Sequence, residues 1–353
     1  MMRTITVLSA VFFLTLAVWA HLAGGEEVRL FVLEPVAESP RQLTGIAVMP
    51  DGRIFVNFPR WSDDVPLSVG ELRPDGSVRA FPNAEWNSGK PGPGEHFVCV
   101  QSVVADREGY LWVLDSGNPK FAGVIPGAPK LLKFDPQTGR LLAKITYQEP
   151  NILPNSYLND VRIDTARNVA FLTDSGQGAI LVTELDSGKS RRLLDHHPSV
   201  KAEKIDVVIN GAPWRRPGGG VPSVHADGIA LSPDRSTLYF QALTGRTLYR
   251  IPTAYLRDAA LTPEELGRKV EKVGVTGPAD GLEFAPDGTL YLTSLEDNAV
   301  KRLLANGIAQ IVVQDQRLSW PDSLAVAPDG SIYVTTSNIH LGRGPYGVYR
   351  FKP

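Results

Sequence analysis

One pattern is written six times along this chain, and that repetition restricts its fold more than any other feature. The copies are TGIAVMPDGRIFVNFP (44–59), QSVVADREGYLWVLDSG (101–117), NDVRIDTARNVAFLTDSG (159–176), DGIALSPDRSTLYFQAL (227–243), DGLEFAPDGTLYLTSL (280–295) and DSLAVAPDGSIYVTTS (322–337). Each opens with a polar residue and then a small or acidic one. An alternating apolar stretch follows, then a turn, then a second apolar stretch rich in aromatic and β-branched residues. Alternation with a period of two marks strands. Recurrence at tens of residues marks a repeat architecture.

The turns carry their own chemistry. Pro50-Asp51-Gly52, Pro286-Asp287-Gly288 and Pro328-Asp329-Gly330 put proline where φ is preset and glycine where φ is positive, and Pro233-Asp234 is a partial copy. Two short strands joined this way make a hairpin. Two more strand-like stretches follow, as in KLLKFDPQTGRLLAKITY (130–147) and ILVTELDSGKSRRLL (180–194), giving the four strands of a propeller blade. The last copy leaves only GVYRFKP (347–353) for its outer strands. VRLFVLEP (28–35) is expected to complete that blade, which removes the free sheet edges. The expected fold is all-β: a six-bladed β-propeller closed by an N-terminal strand, forming one domain over 21–353. The widest gap, 196–223, is expected to be a long loop over one face. TAYLRDAALTPEELGRKVEKV (253–273) is the expected helix, with Thr262, Pro263 and Glu265 at its start.

Residues 1–20 read as a signal peptide: Arg3, then the apolar run 5–20, with Val18 and Ala20 at the small positions a signal peptidase needs. An uncleaved anchor is the alternative. The expectation is a secreted or periplasmic protein with no stable membrane insertion after cleavage, and a monomer. The formal charge of −2 leaves no basic field for nucleic acid. The single cysteine, Cys99, cannot form an internal disulfide and reads as a small buried hydrophobe.

In a propeller the first strand of each blade lines the central channel. The residues opening those strands, Thr44, Gln101, Asn159, Asp227, Asp280 and Asp322, are therefore expected to converge on one mouth. The second strand returns to the same face and brings Asp115, Asp174, Ser294 and Thr336. His225, Tyr157 and Trp320 stand two residues before three of the openings and are placed on the rim. Crowded carboxylates are neutralised by a cation, hold protons, or face water. The competing reading of each Asp is a local turn cap. His225, Asp227 and Asp174 are the candidate proton-transfer groups. Gln101, Asp115, Thr44, Tyr157, Asn159, Asp280, Trp320 and Asp322 are the candidate ligand contacts. Asn159, Asp227 and Asp280 are candidate ligands for a divalent cation such as Ca²⁺. His96, His196-His197 and His340 have no partner legible in the sequence. No Gly-x-Ser-x-Gly, phosphate-loop or HExxH signature occurs.

Several separated motifs, FVNFPRW (55–61), VPLSVGEL (65–72), the LDSG copy (102–117), YLNDVRIDTARNVAFLTDSGQGAILVTEL (157–185) and HADGIALSPDRSTLYFQALTGRTLYRIPTAYLRD (225–258), resemble in content and order the major royal jelly and yellow protein family in its bacterial form. The resemblance covers about 44–350. It implies a secreted six-bladed propeller with a small-molecule pocket at the channel mouth. Insect members are associated with dopachrome isomerisation, with biogenic-amine binding, or with no catalysis. They usually carry disulfides, which the lone Cys99 does not permit. A more distant resemblance is to gluconolactonase and regucalcin-like propellers, which use a divalent cation. Asn159 and Asp227 match ligand positions there, whereas Thr44 stands where those proteins have an acidic ligand. The expected partner is a small aromatic or amine molecule, with dopachrome-type tautomerase chemistry if the site is catalytic. Cation-dependent lactone hydrolysis is the alternative, and a protein-binding propeller is a third reading if the 196–223 loop plugs the mouth.

Overall fold

In the computed structural model, which describes residues 19–20, 28–90 and 94–353, the six copies become six four-stranded antiparallel sheets. Blades 1 to 5 are built in chain order, each beginning at its innermost strand. The innermost strands are Ile46–Val48, Val100–Ala105, Leu158–Asp164, Ala226–Leu231, Leu282–Phe284 and Pro321–Val326. They touch one another in cyclic order, so the ring is closed around an axis. The expected signal peptide lies, but for its last two residues, outside the described residues. No helix among the described residues is long and apolar enough to cross a membrane.

The turn residues act as their chemistry requires. The Asp51, Asp234, Asp287 and Asp329 carboxylates each accept the N–H two residues on, at 2.9–3.0 Å. Gly52, Gly288 and Gly330 take φ of 82–90°, a region that costs other residues a Cβ clash.

Ring closure uses a different stretch from the one expected. The fourth strand of blade 6 is Glu34–Ser39, paired antiparallel with Tyr346–Phe351, so only Glu34 and Pro35 of the expected 28–35 strand take part in that ladder. Phe31 and Leu33 instead pack on blade 5, and Phe31 N–H donates to Val312 O at 2.8 Å. The polar, half-exposed EPVAES segment suits an outermost strand, where a proline is tolerated. The 253–273 helix is also corrected. Two single-turn helices, Thr253–Arg257 and Pro263–Gly267, are followed by the strand Glu271–Val275 that completes blade 4. The capping box at Thr262 and Glu265 is present, but the β-branched, alternating tail pairs with Thr247–Pro252.

Apolar faces meet between blades. Phe55, Phe81, Trp86 and Phe134 pack edge to face between blades 1 and 2, at centroid distances of 4.9–5.7 Å. Each such ring buries about 1.5–3 kcal/mol of apolar surface. Polar clasps near the axis add to this. Thr173 Oγ1 accepts from Asp160 N–H (3.1 Å) and donates to Asp227 O of the next blade (2.8 Å). Thr335 Oγ1 accepts from Ser323 N–H (3.0 Å) and donates to Thr44 O (2.5 Å), fastening blade 6 to blade 1. Two glycines let neighbouring inner strands approach this closely. A Cβ on Gly228 would lie 2.5 Å from Asp280 O, and one on Gly281 would lie 2.2 Å from Asp322 O. Gly281→Ala is therefore expected to lower unfolding free energy by about 1–3 kcal/mol, read from urea denaturation. An unchanged midpoint would show that the blades can spread at no cost.

Candidate ligand-binding site at the channel mouth

A β-bulge or register shift opens four of the innermost strands. In blade 3, Asn159 and Asp160 together face the single residue Thr173, because Leu158 pairs with Asp174 and Val161 with Leu172. Blades 4 and 6 shift register in the same way across Asp227-Gly228 and Asp322-Ser323, and blade 2 does so across Gln101. A bulge re-aims consecutive side chains to one side. Here it gathers polar groups at the head of the channel.

The gathered groups form a connected arc. Tyr157 Oη donates to Gln101 Oε1 (2.8 Å), Gln101 Nε2 to Asn159 Oδ1 (3.2 Å), and Asn159 Nδ2 to Asp227 Oδ2 (2.7 Å). Asp280 stands beside Asp227, close enough for each to shift the other's titration. Trp320 Nε1 donates to Asp280 Oδ2 (2.7 Å), and Ser323 Oγ donates to Asp322 Oδ1 (3.1 Å). Asp227, Asp280 and Asp322 are all buried. None of the three forms an ion pair among the described residues. Burial, and then the neighbouring carboxylates, raise Asp227 and Asp280 well above the usual carboxylate range. Burial pushes Asp322 up to about 7, against the Ser323 hydroxyl, which pulls it down. The ring therefore holds protons at neutral pH.

The other candidates stand elsewhere. Thr44 donates to Gln101 O and accepts from Asn57, which fastens blade 1 to blade 2. Asp115 accepts the Val98, Cys99 and Gly117 N–H groups and pairs with buried Lys130 at 3.0 Å. Asp174 accepts from Ser156 Oγ, from the Tyr157, Gly176 and Gln177 N–H groups, and from Arg192. Ser294 bonds Asp297, and Thr336 accepts Gly347 N–H. Side chains alternate along a strand, so these four face the opposite way from their neighbours Leu114, Thr173, Thr293 and Thr335. The residues that face the axis and clasp the neighbouring blade are Thr173 and Thr335, one residue before Asp174 and Thr336.

His225 sits half-buried on the rim, where Nδ1 accepts Ala202 N–H at 3.0 Å. Burial and the Lys201 charge lower its pKa, against Asp174, so it is neutral near pH 7. Cys99 is buried and its thiol is pushed up to about 11, which removes thiolate chemistry.

Two aromatic groups that the sequence reading had not drawn to the site flank the mouth. Over blades 1–3, Phe121 is 61% exposed and rests on Tyr157, at a centroid distance of 4.8 Å, and beside Trp61. Lys120 and Phe121 both hold positive φ, an unusual state for residues with a Cβ. Over blades 4–6, the 196–223 segment supplies the hairpin Val208–Ile209 with Ala212–Pro213. Its Trp214 meets Trp320 edge to face at 4.7 Å, and His340 stacks on Trp320. The hairpin is tied down through Val208 N–H to Glu296, and Glu296 pairs with Arg246. Its apolar contacts, Leu243, Leu295 and Trp320, come from blades 4 to 6. Trp214 was legible only as one apolar residue in a Pro/Gly-rich loop.

Fit to a divalent cation is incomplete. Such an ion takes six to eight oxygens. Here Asn159 turns its amide nitrogen to Asp227, and its oxygen accepts from Gln101. Among the described residues, no group of three or more His, Cys, Asp or Glu side chains is arranged to hold a metal ion.

A closed ring of six blades with a buried acidic arc on its axis defines the class: a six-bladed propeller whose polar site lies at one end of its channel. The chain belongs to the major royal jelly protein family, whose model matches residues 98–341. Protein yellow of Drosophila yakuba is 24% identical over 268 residues, covering 70% of this chain and 48% of that protein. Protein yellow of Drosophila melanogaster gives the same figures. The chain thus spans about half the length of the curated relatives it matches. Among solved structures, a gluconolactonase from Xanthomonas campestris has a TM-score of 0.58 at 15% identity, over 91% of this chain and 89% of that one. The calcium-binding regucalcin of Agrobacterium tumefaciens has a TM-score of 0.57 at 16% identity, over 91% and 93%. At such identities the likeness is one of fold.

Proposed function

We propose that this protein is an exported, monomeric binding propeller that takes a small aromatic amine at the channel mouth. One observation carries the reading: three buried carboxyl groups meet there without a basic side chain beside them. Buried carboxylates need a counter-charge, and an organic ammonium supplies it. Exposed Phe121, resting on Tyr157, provides stacking surface near that charge, while buried Trp320 and Tyr157 reach the arc through hydrogen bonds. The absence of a disulfide fits a microbial branch of the family.

The same arc suits tautomerisation. A carboxylate would take a proton from carbon while its protonated neighbour returns one elsewhere, with no net change in composition. Asp227 and Asp280 are the pair for that exchange. His225 is the second proton carrier on the rim, within the field of Asp174.

Calorimetric titration with dopamine tests the binding claim, with 4-methylcatechol as the control lacking the ammonium. One equivalent of dopamine is expected to bind, and Asp227→Asn should weaken it by roughly 10- to 100-fold. No heat with dopamine, equal binding of the neutral catechol, or unchanged affinity in the variant would each sink the reading. The second reading, cation-dependent lactone hydrolysis, is favoured by the same unpaired carboxyls and requires the Asn159 amide to turn its oxygen inward. Elemental analysis of protein purified without chelator separates the two: a stoichiometric divalent ion supports hydrolysis.

A further inference from the structure

Below the acidic arc the channel widens. A cavity of about 510 Å³ is lined by all six innermost strands, from the level of Ser102, Asp160 and Ser323 down to the turns at Pro50, Pro233, Pro286 and Pro328. It reaches the face opposite the mouth, and its size is that of a small-molecule site. Six charged residues line it among apolar and small polar ones: Asp106, Arg107, Asp160, Arg162, Arg235 and Glu283. Asp106 accepts from Trp112 Nε1, Arg107 donates to Pro233 O and Arg235 pairs with Asp164, so these three are already engaged. Arg162 reaches past blade 4, where its Nη2 donates to Leu282 O (2.6 Å) and meets Glu283 Oε2 at 3.2 Å. Its Nε is buried and has no hydrogen-bond partner among the described residues. Asp160, two residues earlier on the same strand, forms no ion pair among the described residues; its carboxyl is served by the Ser102 hydroxyl.

We infer that this lower chamber is a second binding site, separate from the mouth, for a small zwitterion carrying both an ammonium and a carboxylate. The ammonium meets Asp160, which makes no ion pair among the described residues, although Arg162 lies within its field. The carboxylate meets Arg162 Nε, the one guanidinium nitrogen left without an acceptor among the described residues. A ligand of one sign is attracted by one of these groups and repelled by the other. A zwitterion satisfies both, and the apolar walls accept an aliphatic or aromatic side chain. The proposed contacts are made with Asp160 and Arg162, not with Asp227, Asp280 or Asp322, although those three lie within the field of Asp160.

The test is calorimetric titration of the full chain with glycine, L-alanine, L-valine, L-leucine and L-phenylalanine. 3-Methylbutylamine, which is L-leucine without its carboxylate, serves as the control. At least one amino acid is expected to bind with a stoichiometry of one. Arg162→Met should weaken it about tenfold or more, and Asp322→Asn at the mouth should change it less than Arg162→Met does. Ala325→Leu narrows the chamber without altering charge, so it should also lose binding; it keeps the test open if Arg162→Met fails to fold. No binding by any amino acid overturns the inference. So does equal affinity for 3-methylbutylamine, affinity retained in both chamber variants, or a loss in Asp322→Asn as large as that in Arg162→Met.

Discussion

Asp174→Ala is expected to lower unfolding free energy by about 3–5 kcal/mol and the melting temperature by on the order of 5 °C. The Asp174 carboxylate is fully buried, pairs with Arg192 at 2.7 Å, and accepts a hydroxyl and three backbone N–H groups at the entry to blade 3. Removing it leaves a guanidinium only 6% exposed with just the longer Asp195 contact, at 3.8 Å, and strands the donors of the turn. That cost exceeds the worth of the ion pair itself, because an uncompensated buried charge is more costly than the pair it replaces. Differential scanning calorimetry reads the loss. Dopamine affinity in the folded fraction should stay within about twofold of wild type. An unchanged melting temperature accompanied by lost binding would reverse the assignment and make Asp174 a site residue.

The second large effect is on pH. Dopamine affinity should rise roughly 100-fold between about pH 5 and about pH 7, with one proton released per molecule bound across that range. Burial pushes Asp322 up to about 7 and raises Asp227 and Asp280 as well, so an entering cation must displace a proton. Above about pH 7 the Asp322 contribution levels off. Stability of the unliganded protein moves the other way. A carboxyl whose folded pKa lies above its unfolded value of about 3.9 stabilises the fold fully below that value. The contribution is lost as pH climbs through the folded pKa, so the Asp322 share falls away between about pH 4 and pH 7. His197, His225 and His340, lowered by burial, give an opposite trend up to about pH 6.5. The Asp322 share is therefore read as the difference between wild type and Asp322→Asn. Affinity that is flat with pH, or a variant whose stability profile parallels wild type, would show that Asp322 is ionised throughout.

The fold was largely legible because its information is local. Period-two alternation, Pro-Asp-Gly turns and a sixfold recurrence each sit within about 20 residues. The closing strand was misplaced by six residues at its start, because Phe31 and Leu33 alternate as a strand does but fill a gap beside blade 5. The 253–273 helix failed for a related reason: short-range capping signals were correct, but pairing with a neighbouring strand overrode the helical tail. Of the site, Asp227, Asp280, Asp322, Asn159 and Gln101 were legible as blade openers. Asp160 was not, since only a bulge places consecutive residues on one side of a strand.

The amino-acid sequence by itself determined the number of blades, the positions of their inner strands and the polar residues that open them, because each depends on spacing within one repeat. The tertiary structure alone decided which carboxyls are left without a counter-charge. Asp115 meets Lys130, Asp174 meets Arg192, and Asp227 meets other acids, and these partners lie 15, 18 and 53 or more residues away along the chain. Whether a buried carboxylate is a turn cap or a ligand site depends on what stands within a few ångströms of it. Strand alternation and ring closure fix that, and a linear spacing rule does not.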